Sequence, residues 1–334
     1  MAFATFRCRR HPSASGASST KLSRESTVSL PTVELICFPG APNLPIFVAR
    51  DKGWFRDNGI DINLTTTPNS AFQAENLASG KFHIAGTAFD NVVAYQEGQG
   101  AVPLKDTDFF AFMGATQVEL AFITQADIKS YVDVKGKNLA LDALSTGFAF
   151  VLYEMLAKNG LTKADYQMQP VGATPARWEA VKAGTHAGTL TIEPFTSIAR
   201  NQGFHVLDTS SNVFAAYQGG GFAARRSWAA ANPEALKGFI RGYLAGLAWT
   251  LDPANKDEAT KVLLANMPEI KPPVAPAVMA SLLSPRSGLT PKAAMLMDGV
   301  ATVLDLRSRY GGGAKLTDAS KYIDLTYYNQ VVSG

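Results

Sequence analysis

Apolar residues recur along this chain in two alternating rhythms, a period of two over short runs and a period near 3.6 over longer ones. The first rhythm predicts strands at Val33–Cys37, Ile60–Leu64 and His83–Thr87. The second predicts a helix opening at Asn43 and two more over Ser70–Ala78 and Phe89–Gln96. Turn residues punctuate the series: Pro39-Gly40-Ala41-Pro42 follows the first strand, Asn43 is placed to cap the first helix, and Gly53 to stop it. Strands that alternate with helices in this way predict parallel βαβ units.

The rhythm then restarts. Phe109–Ala115 and Leu120–Thr124 predict strands on either side of the polar Thr116-Gln117-Val118-Glu119. Further strands are expected at Asn138–Leu141, Gln167–Val171, Ala187–Leu190, Phe204–Leu207 and Phe214–Gln218. Between them lie helices from Ser145 or Thr146 to Asn159 and from Pro175 to Ala183. Beyond Ser227 the pattern is almost wholly helical, notably over Pro291–Arg309 and over Pro233–Leu251, where Leu236, Phe239, Ile240, Tyr243, Leu244 and Leu247 share one face. Two βα series followed by helices predict an α/β fold of two open, mostly parallel sheets, the second inserted into the first. Residues 31–115 plus 219–334 are expected to form one lobe and 116–218 the other, with crossings and hinges near Thr116-Gln117 and Gln218-Gly219. In such sheets ligands bind beyond the carboxyl ends of the strands, so βα loops should line a cleft.

Composition narrows the partners. The chain of 334 residues is long enough for two cores, and its net charge of +3 comes without any basic run interleaved with aromatics, which argues against nucleic acid. No uninterrupted apolar run approaches the roughly 18 residues a membrane span needs. Residues 1–30 carry Arg7, Arg9, Arg10, Lys21 and Arg24 among many serines, with no apolar stretch, and read as a disordered leader or N-terminal extension. The two cysteines are Cys8, in that leader, and Cys37, so no structural disulfide is expected. The four histidines show no metal-ligand spacing, and neither a metal nor a cofactor is expected.

Several segments carry a family resemblance. Asn43-Leu44-Pro45-Ile46-Phe47-Val48-Ala49-Arg50-Asp51-Lys52-Gly53-Trp54-Phe55, followed by Asn58-Gly59-Ile60, resembles the opening of periplasmic binding proteins of the nitrate/sulfonate/taurine/thiamine-pyrimidine type. Asp133-Val134-Lys135-Gly136-Lys137 with Asn159-Gly160-Leu161 resembles the bounds of the second lobe's first βα unit. Leu77-Ala78-Ser79-Gly80 and Val181-Lys182-Ala183-Gly184 match the small-residue helix ends, and the likeness runs in order over about residues 32–265. The resemblance implies a two-lobed periplasmic-binding-protein fold that captures small oxyanions, sulfonates or heterocycles. It also implies a permease and an ATPase as partners, a monomer, and a periplasmic or extracytoplasmic location, although no signal peptide is recognisable and a cytoplasmic location is the alternative if the chain starts at Met1.

Position in the pattern then selects candidate ligand contacts. Asp142-Ala143-Leu144-Ser145-Thr146-Gly147 sits where a strand feeds a helix, so free amides and the hydroxyls of Ser145 and Thr146 can cradle a polar group, while Asp142 disfavours a purely anionic ligand. A plain helix cap explains the same residues. In the first lobe Gly40, Ala41 and Asn43 occupy the matching loop, which lacks the histidine of thiamine-pyrimidine binders. Thr87, Ala88, Phe89 and Asp90 open another helix at the cleft, with Phe89 placed to stack on a planar ligand and Asp90 to accept from it. Gln117 and Tyr217 lie at the crossings and Glu193 ends a second-lobe strand. No catalytic residues are expected. The alternative is an enzyme on the same fold, an aryl-sulfinate desulfinase with Cys37 as nucleophile, against which stands the bland reading of a strand cysteine as a small buried side chain.

Overall fold

The structure, a computed structural model, describes residues 1–2 and 29–333, so Cys8 and nearly all of the expected leader lie outside the described residues. Strand β1 (Thr32–Cys37) leads into α1 (Leu44–Asp51), and α2 (Trp54–Asp57) follows Gly53, whose φ of 77° makes the left-handed turn between them. Next come β2 (Asp61–Thr66), α3 (Ser70–Ala78), β3 (Ile84–Ala88) and α4 (Phe89–Gln96). β4 (Phe109–Thr116) ends this series and β5 (Ala121–Thr124) opens the next. The second series runs β6 (Asn138–Leu141), α5 (Gly147–Lys158), β7 (Gln167–Pro170), α6 (Thr174–Lys182), β8 (Gly188–Thr191), α7 (Phe195–Asn201), β9 (His205–Thr209) and α8 (Ser210–Val213). The chain returns as β10 (Gly220–Arg225) and finishes with α9 (Arg226–Ala231), α10 (Pro233–Leu251), α11 (Lys256–Asn266), α12 (Ala275–Leu282), α13 (Met297–Tyr310) and α14 (Thr326–Val332).

The strands form two five-stranded sheets, ordered β2-β1-β3-β10-β4 and β7-β6-β8-β5-β9. β1 pairs in parallel with β2 and β3, while β10 is antiparallel to both β3 and β4. The second sheet repeats the plan, with β6 parallel to β7 and β8, and β5 antiparallel to β8 and β9. In each sheet one strand therefore runs against the other four, and it is the strand that the chain lays down just after crossing. β4 is buried along its whole length although it ends the sheet. Its outer edge is covered, since Ala111 N donates to Tyr322 O at 2.8 Å and Thr290 N to Ala115 O at 2.9 Å.

Two expected elements differ. Phe214–Gln218 forms no strand; the returning strand is β10, which begins at Gly220, just past the expected crossing at Gln218-Gly219. A Cβ on Gly221 would sit 2.9 Å from Met113 O, and one on Gly220 would sit 2.8 Å from Thr116 Cγ2, so the neighbouring strand leaves room for bare backbone only. The helix expected over Pro291–Arg309 begins only at Met297, because Lys292 and Ala293 take φ of 57° and 50° and break the run. Gln218 Oε1 then accepts from Leu296 N at 2.8 Å and fixes the start of α13.

Two apolar clusters hold the molecule. The first lies under α10, where Phe239 and Tyr243 pack on Phe222 and Phe112, the Phe222–Tyr243 ring centroids being 4.7 Å apart. Each such ring removed from water is worth roughly 1.5–3 kcal/mol. The second joins α4 (Phe89, Val92, Val93) to α5 (Phe150, Tyr153) through Val300, Val303 and Leu304 of α13.

Candidate ligand-binding cleft

The carboxyl ends of the parallel strands in both sheets face one cleft, about 840 Å³ counting the space open to solvent. The first lobe contributes Phe38, Gly40, Pro42 and Asn43 after β1, and Thr87, Ala88 and Asn91 at the end of β3 and start of α4. The second contributes Asp142, Thr146, Gly147 and Phe148 between β6 and α5, Thr174 and Arg177 on α6, and Ile192 after β8. The crossings supply Thr116, Val118 and Gly219–Gly221, and Tyr243 of α10 reaches in from below. Chain reversal at the end of each parallel strand brings these loops together, as the alternating pattern predicts.

Of the residues expected at the site, Gly40, Asn43, Thr87, Ala88, Asp142, Thr146 and Gly147 line this cleft. Asn43 precedes α1 as expected, but its side chain does not cap the helix; Nδ2 turns back to Phe38 O at 2.9 Å. Thr146 opens α5 without a side-chain cap, and its hydroxyl donates to Ala143 O at 3.2 Å, so the plain-cap reading does not describe it. Asp142 accepts from Ser70 N at 3.1 Å across the cleft. Asn91, missed in the sequence, donates from Nδ2 to Thr87 Oγ1 at 2.9 Å.

The other seven lie elsewhere, each for a physical reason. Phe89 is 1% exposed and belongs to the second apolar cluster, so it does not stack over the cleft. Asp90 points away to Arg307, with Nη2 at 2.5 Å from its Oδ2, both side chains buried. Ser145 is drawn in the same direction, its carbonyl accepting from Arg307 at 2.8 Å. Ala41 is buried, and its N donates to Glu193 O at 2.9 Å. Glu193 faces a separate cavity of about 240 Å³ beside Pro42 and Glu119. Ser197 Oγ donates to its carboxyl at 2.9 Å, yet burial pushes that carboxyl up to about 7. Gln117 and Tyr217 line a third cavity of about 250 Å³, near Phe214 and Arg286.

Sequence reading also missed Phe38 and Phe148. Both are half-buried and line the cleft from opposite lobes. They stand one residue outside the turn and cap positions that attract attention in a sequence. Among the described residues lining the cleft, Arg177 is the one cation and Asp142 the one carboxylate. Arg177 is already engaged: Nη1 donates to Gly172 O at 2.8 Å, and Nη2 to Thr174 Oγ1 at 3.1 Å and Leu190 O at 3.0 Å. Burial brings its guanidinium down to about 10, against the pull of Asp142.

Cys37 does not line the cleft. Its thiol is 1% exposed at the end of β1, packed so closely on Gly86 that a Cβ there would lie 2.5 Å from Sγ. Burial raises it to about 12, which keeps it protonated near neutrality. No group of three or more His, Cys, Asp or Glu side chains stands at metal-binding spacing among the described residues.

Known proteins share this architecture. A riboflavin-binding protein, RibY of Chloroflexus aurantiacus, is 26% identical over 266 residues, covering 77% of this chain and 72% of that protein. The periplasmic nitrate-binding protein NrtA of Synechocystis PCC 6803 superposes with a TM-score of 0.74 at 15% identity, over 91% of this chain and 89% of its own. The alkanesulfonate-binding protein SsuA of Xanthomonas axonopodis pv. citri, bound to MOPS, does so with a TM-score of 0.67 at 17% identity, over 84% and 94%. These likenesses at low identity establish the two-lobed periplasmic-binding-protein fold. The NMT1/THI5-like family profile matches residues 42–256, well over half of the chain, and the chain belongs to that family.

Proposed function

We propose that this chain is the solute-binding component of an ABC-type importer and that its cargo is an uncharged, planar heterocycle. The observation that carries the cargo class is the charge of the cleft. Its one cation, Arg177, turns Nη1 and Nη2 to Gly172, Thr174 and Leu190 and keeps only a buried Nε without a partner, and Asp142 stands in the same wall, so a sulfonate or nitrate meets one largely engaged cation and a carboxylate that repels it. Phe38 and Phe148 supply aromatic surface from opposite lobes, suited to gripping a flat ring system on closure. Asn43 and Asn91 each spend amide N–H on the protein and leave an oxygen for N–H or O–H donors on the ligand. The relative named as riboflavin-binding fits this class. The importer reading places a permease and an ATPase beside the protein and the protein outside the cytoplasm. Cys37, buried and protonated, gives no support to the desulfinase alternative.

One observation favours a second cargo class, small organic anions: α5 begins at the cleft with no side chain on its first amides, and such a helix start attracts oxyanions. A thermal-shift titration of the protein with riboflavin, free pyrimidines, alkanesulfonates and nitrate separates the two. The heterocycles are expected to raise the melting temperature and the anions to leave it unchanged; a shift with sulfonates or nitrate alone overturns the proposed class. With a binding heterocycle in hand, Phe38→Ala and Phe148→Ala should each weaken affinity about tenfold, the loss of one aromatic contact.

A further inference from the structure

The chain crosses between the sheets twice, but a third connection exists that is not covalent. α13 packs on α4, which follows β3 of the first sheet, and on α5, which follows β6 of the second. Its apolar face (Val300, Val303, Leu304) lies in the same cluster as Val92 and Val93 of α4 and Phe150 of α5.

Arg307 stands at the centre of this junction with no exposed surface. Nε donates to Asp90 Oδ1 at 2.7 Å and Nη2 to Asp90 Oδ2 at 2.5 Å, a two-pronged grip on the first lobe. Nη2 also reaches Ser145 O at 2.8 Å in the second lobe, Nη1 holds Gln99 Oε1 at 3.0 Å, and the guanidinium lies 4.8 Å from the Phe150 ring. At the end of the helix, Arg309 Nη1 and Tyr310 Oη donate to Glu154 of α5 at 2.6 and 2.7 Å. The residues gripped are neighbours of the cleft lining: Asp90 lies between Ala88 and Asn91, and Ser145 precedes Thr146 and Gly147. At that seam the lobes touch so closely that a Cβ on Gly147 would lie 2.5 Å from Asp90 Cβ.

We propose that α13 is a strap between the lobes and that Arg307 is a positioning residue for ligand binding, holding the loops around Asp90 and Ser145 at the spacing of the closed cleft. Arg307 touches no ligand; it acts through the two loops that do. Because one guanidinium holds both Asp90 and Ser145, rotation of the second lobe away from α13 breaks a buried, charge-assisted hydrogen bond, and this biases the ligand-free protein towards closure.

The test measures lobe separation without ligand. Spin labels are placed on the full chain through Glu75→Cys on α3 and Glu179→Cys on α6, both exposed, in a Cys8→Ser background. Cys37 stays unlabelled because it is buried. Electron–electron resonance should show one short separation in the parent protein. Arg307→Lys keeps a charge beside Asp90 but cannot grip Asp90 and Ser145 together, and should add a longer separation, the closed-to-open ratio falling about tenfold or more. Should Arg307→Lys fail to fold, the pair Glu154→Gln with Tyr310→Phe cuts the outer end of the strap and should shift the ratio in the same direction. Folded variants with the parent's distance distribution, or a parent that is fully open without ligand, overturn the proposal. It rests on the two-lobed binding reading, but no cargo enters the experiment, so failure of riboflavin to bind would leave this result to be judged separately.

Discussion

Glu193 lies just past the end of β8, with its carboxyl against Ser197 and beside a pocket separate from the main cleft. The sequence marks it because it ends a second-lobe strand, and β8 does end just before it; yet its carboxyl is 8% exposed, turned from the main cleft and raised to about 7 by burial. A folded value above the ordinary 4.5 means that folding favours the protonated form. The stability this contributes is complete below about pH 4.5 and is lost as pH rises through about 7, on the order of 3 kcal/mol in all. Glu193→Gln removes the titration and keeps the polar contact with Ser197, whose hydroxyl can donate or accept. Urea denaturation of both proteins from pH 4 to 8 should therefore show the variant gaining about 2–3 kcal/mol on the parent across that range. A constant difference would mean that Glu193 ionises at its ordinary value in the folded protein. Phe38 and Phe89 teach the converse. Both are aromatics beside a βα turn, and only burial separates a cleft ring from a core ring; sequence pattern carries strand and helix period but not the rotation that decides which side a terminal residue faces.

At the scale of elements, most strands and helices were legible because each buries one face or both, and burial writes itself as period. β4 (Phe109–Thr116) and α10 (Pro233–Leu251) are the clearest instances. β10 was not legible, since a strand that begins Gly220-Gly221 carries no side-chain pattern at its start. What selects glycine there is contact between the two crossings. A Cβ on Gly219 would meet Gln117 O at 2.2 Å and the Val118 side chain at 2.8 Å, and Val118 itself stands at φ 57°, a left-handed conformation that is costly for a β-branched residue. Gly219→Ala must push the crossings apart, because the nearest atom is backbone and cannot rotate away. The expected cost is roughly 1–3 kcal/mol, read as a lower denaturation midpoint. An unchanged midpoint would show that the crossings slide past one another freely. The divided fate of Pro291–Arg309 has the same origin: its first part is bent by tertiary hydrogen bonds, which leave no trace in hydropathy.

For the whole molecule, the two sheets and their insertion follow from counting βα units, but the relation between the lobes comes only from contacts between residues far apart in sequence. Three backbone amides span the cleft: Ala41 N to Glu193 O at 2.9 Å, Ala173 N to Pro68 O at 2.9 Å, and Ser70 N to the Asp142 carboxylate at 3.1 Å. Two of these involve residues that the sequence offers as ligand contacts, Ala41 with Glu193 and Asp142, and a sequence cannot separate a residue that binds a ligand from one that closes over it. Each of the three bonds joins rigid pieces, so a rotation about the crossings breaks them together while the sheets stay intact. Amide hydrogen exchange should then give Ala41, Ser70 and Ala173 a common opening free energy, well below that of buried β4 amides such as Phe112. Three unrelated values would mean that the loops open one at a time and that the lobes do not turn as bodies. The Asp142 contact adds a second check on the same motion. Asp142→Ala deletes the acceptor of Ser70 N alone, so it should speed exchange at Ser70 most, and at Ala41 and Ala173 only as far as the closed population falls.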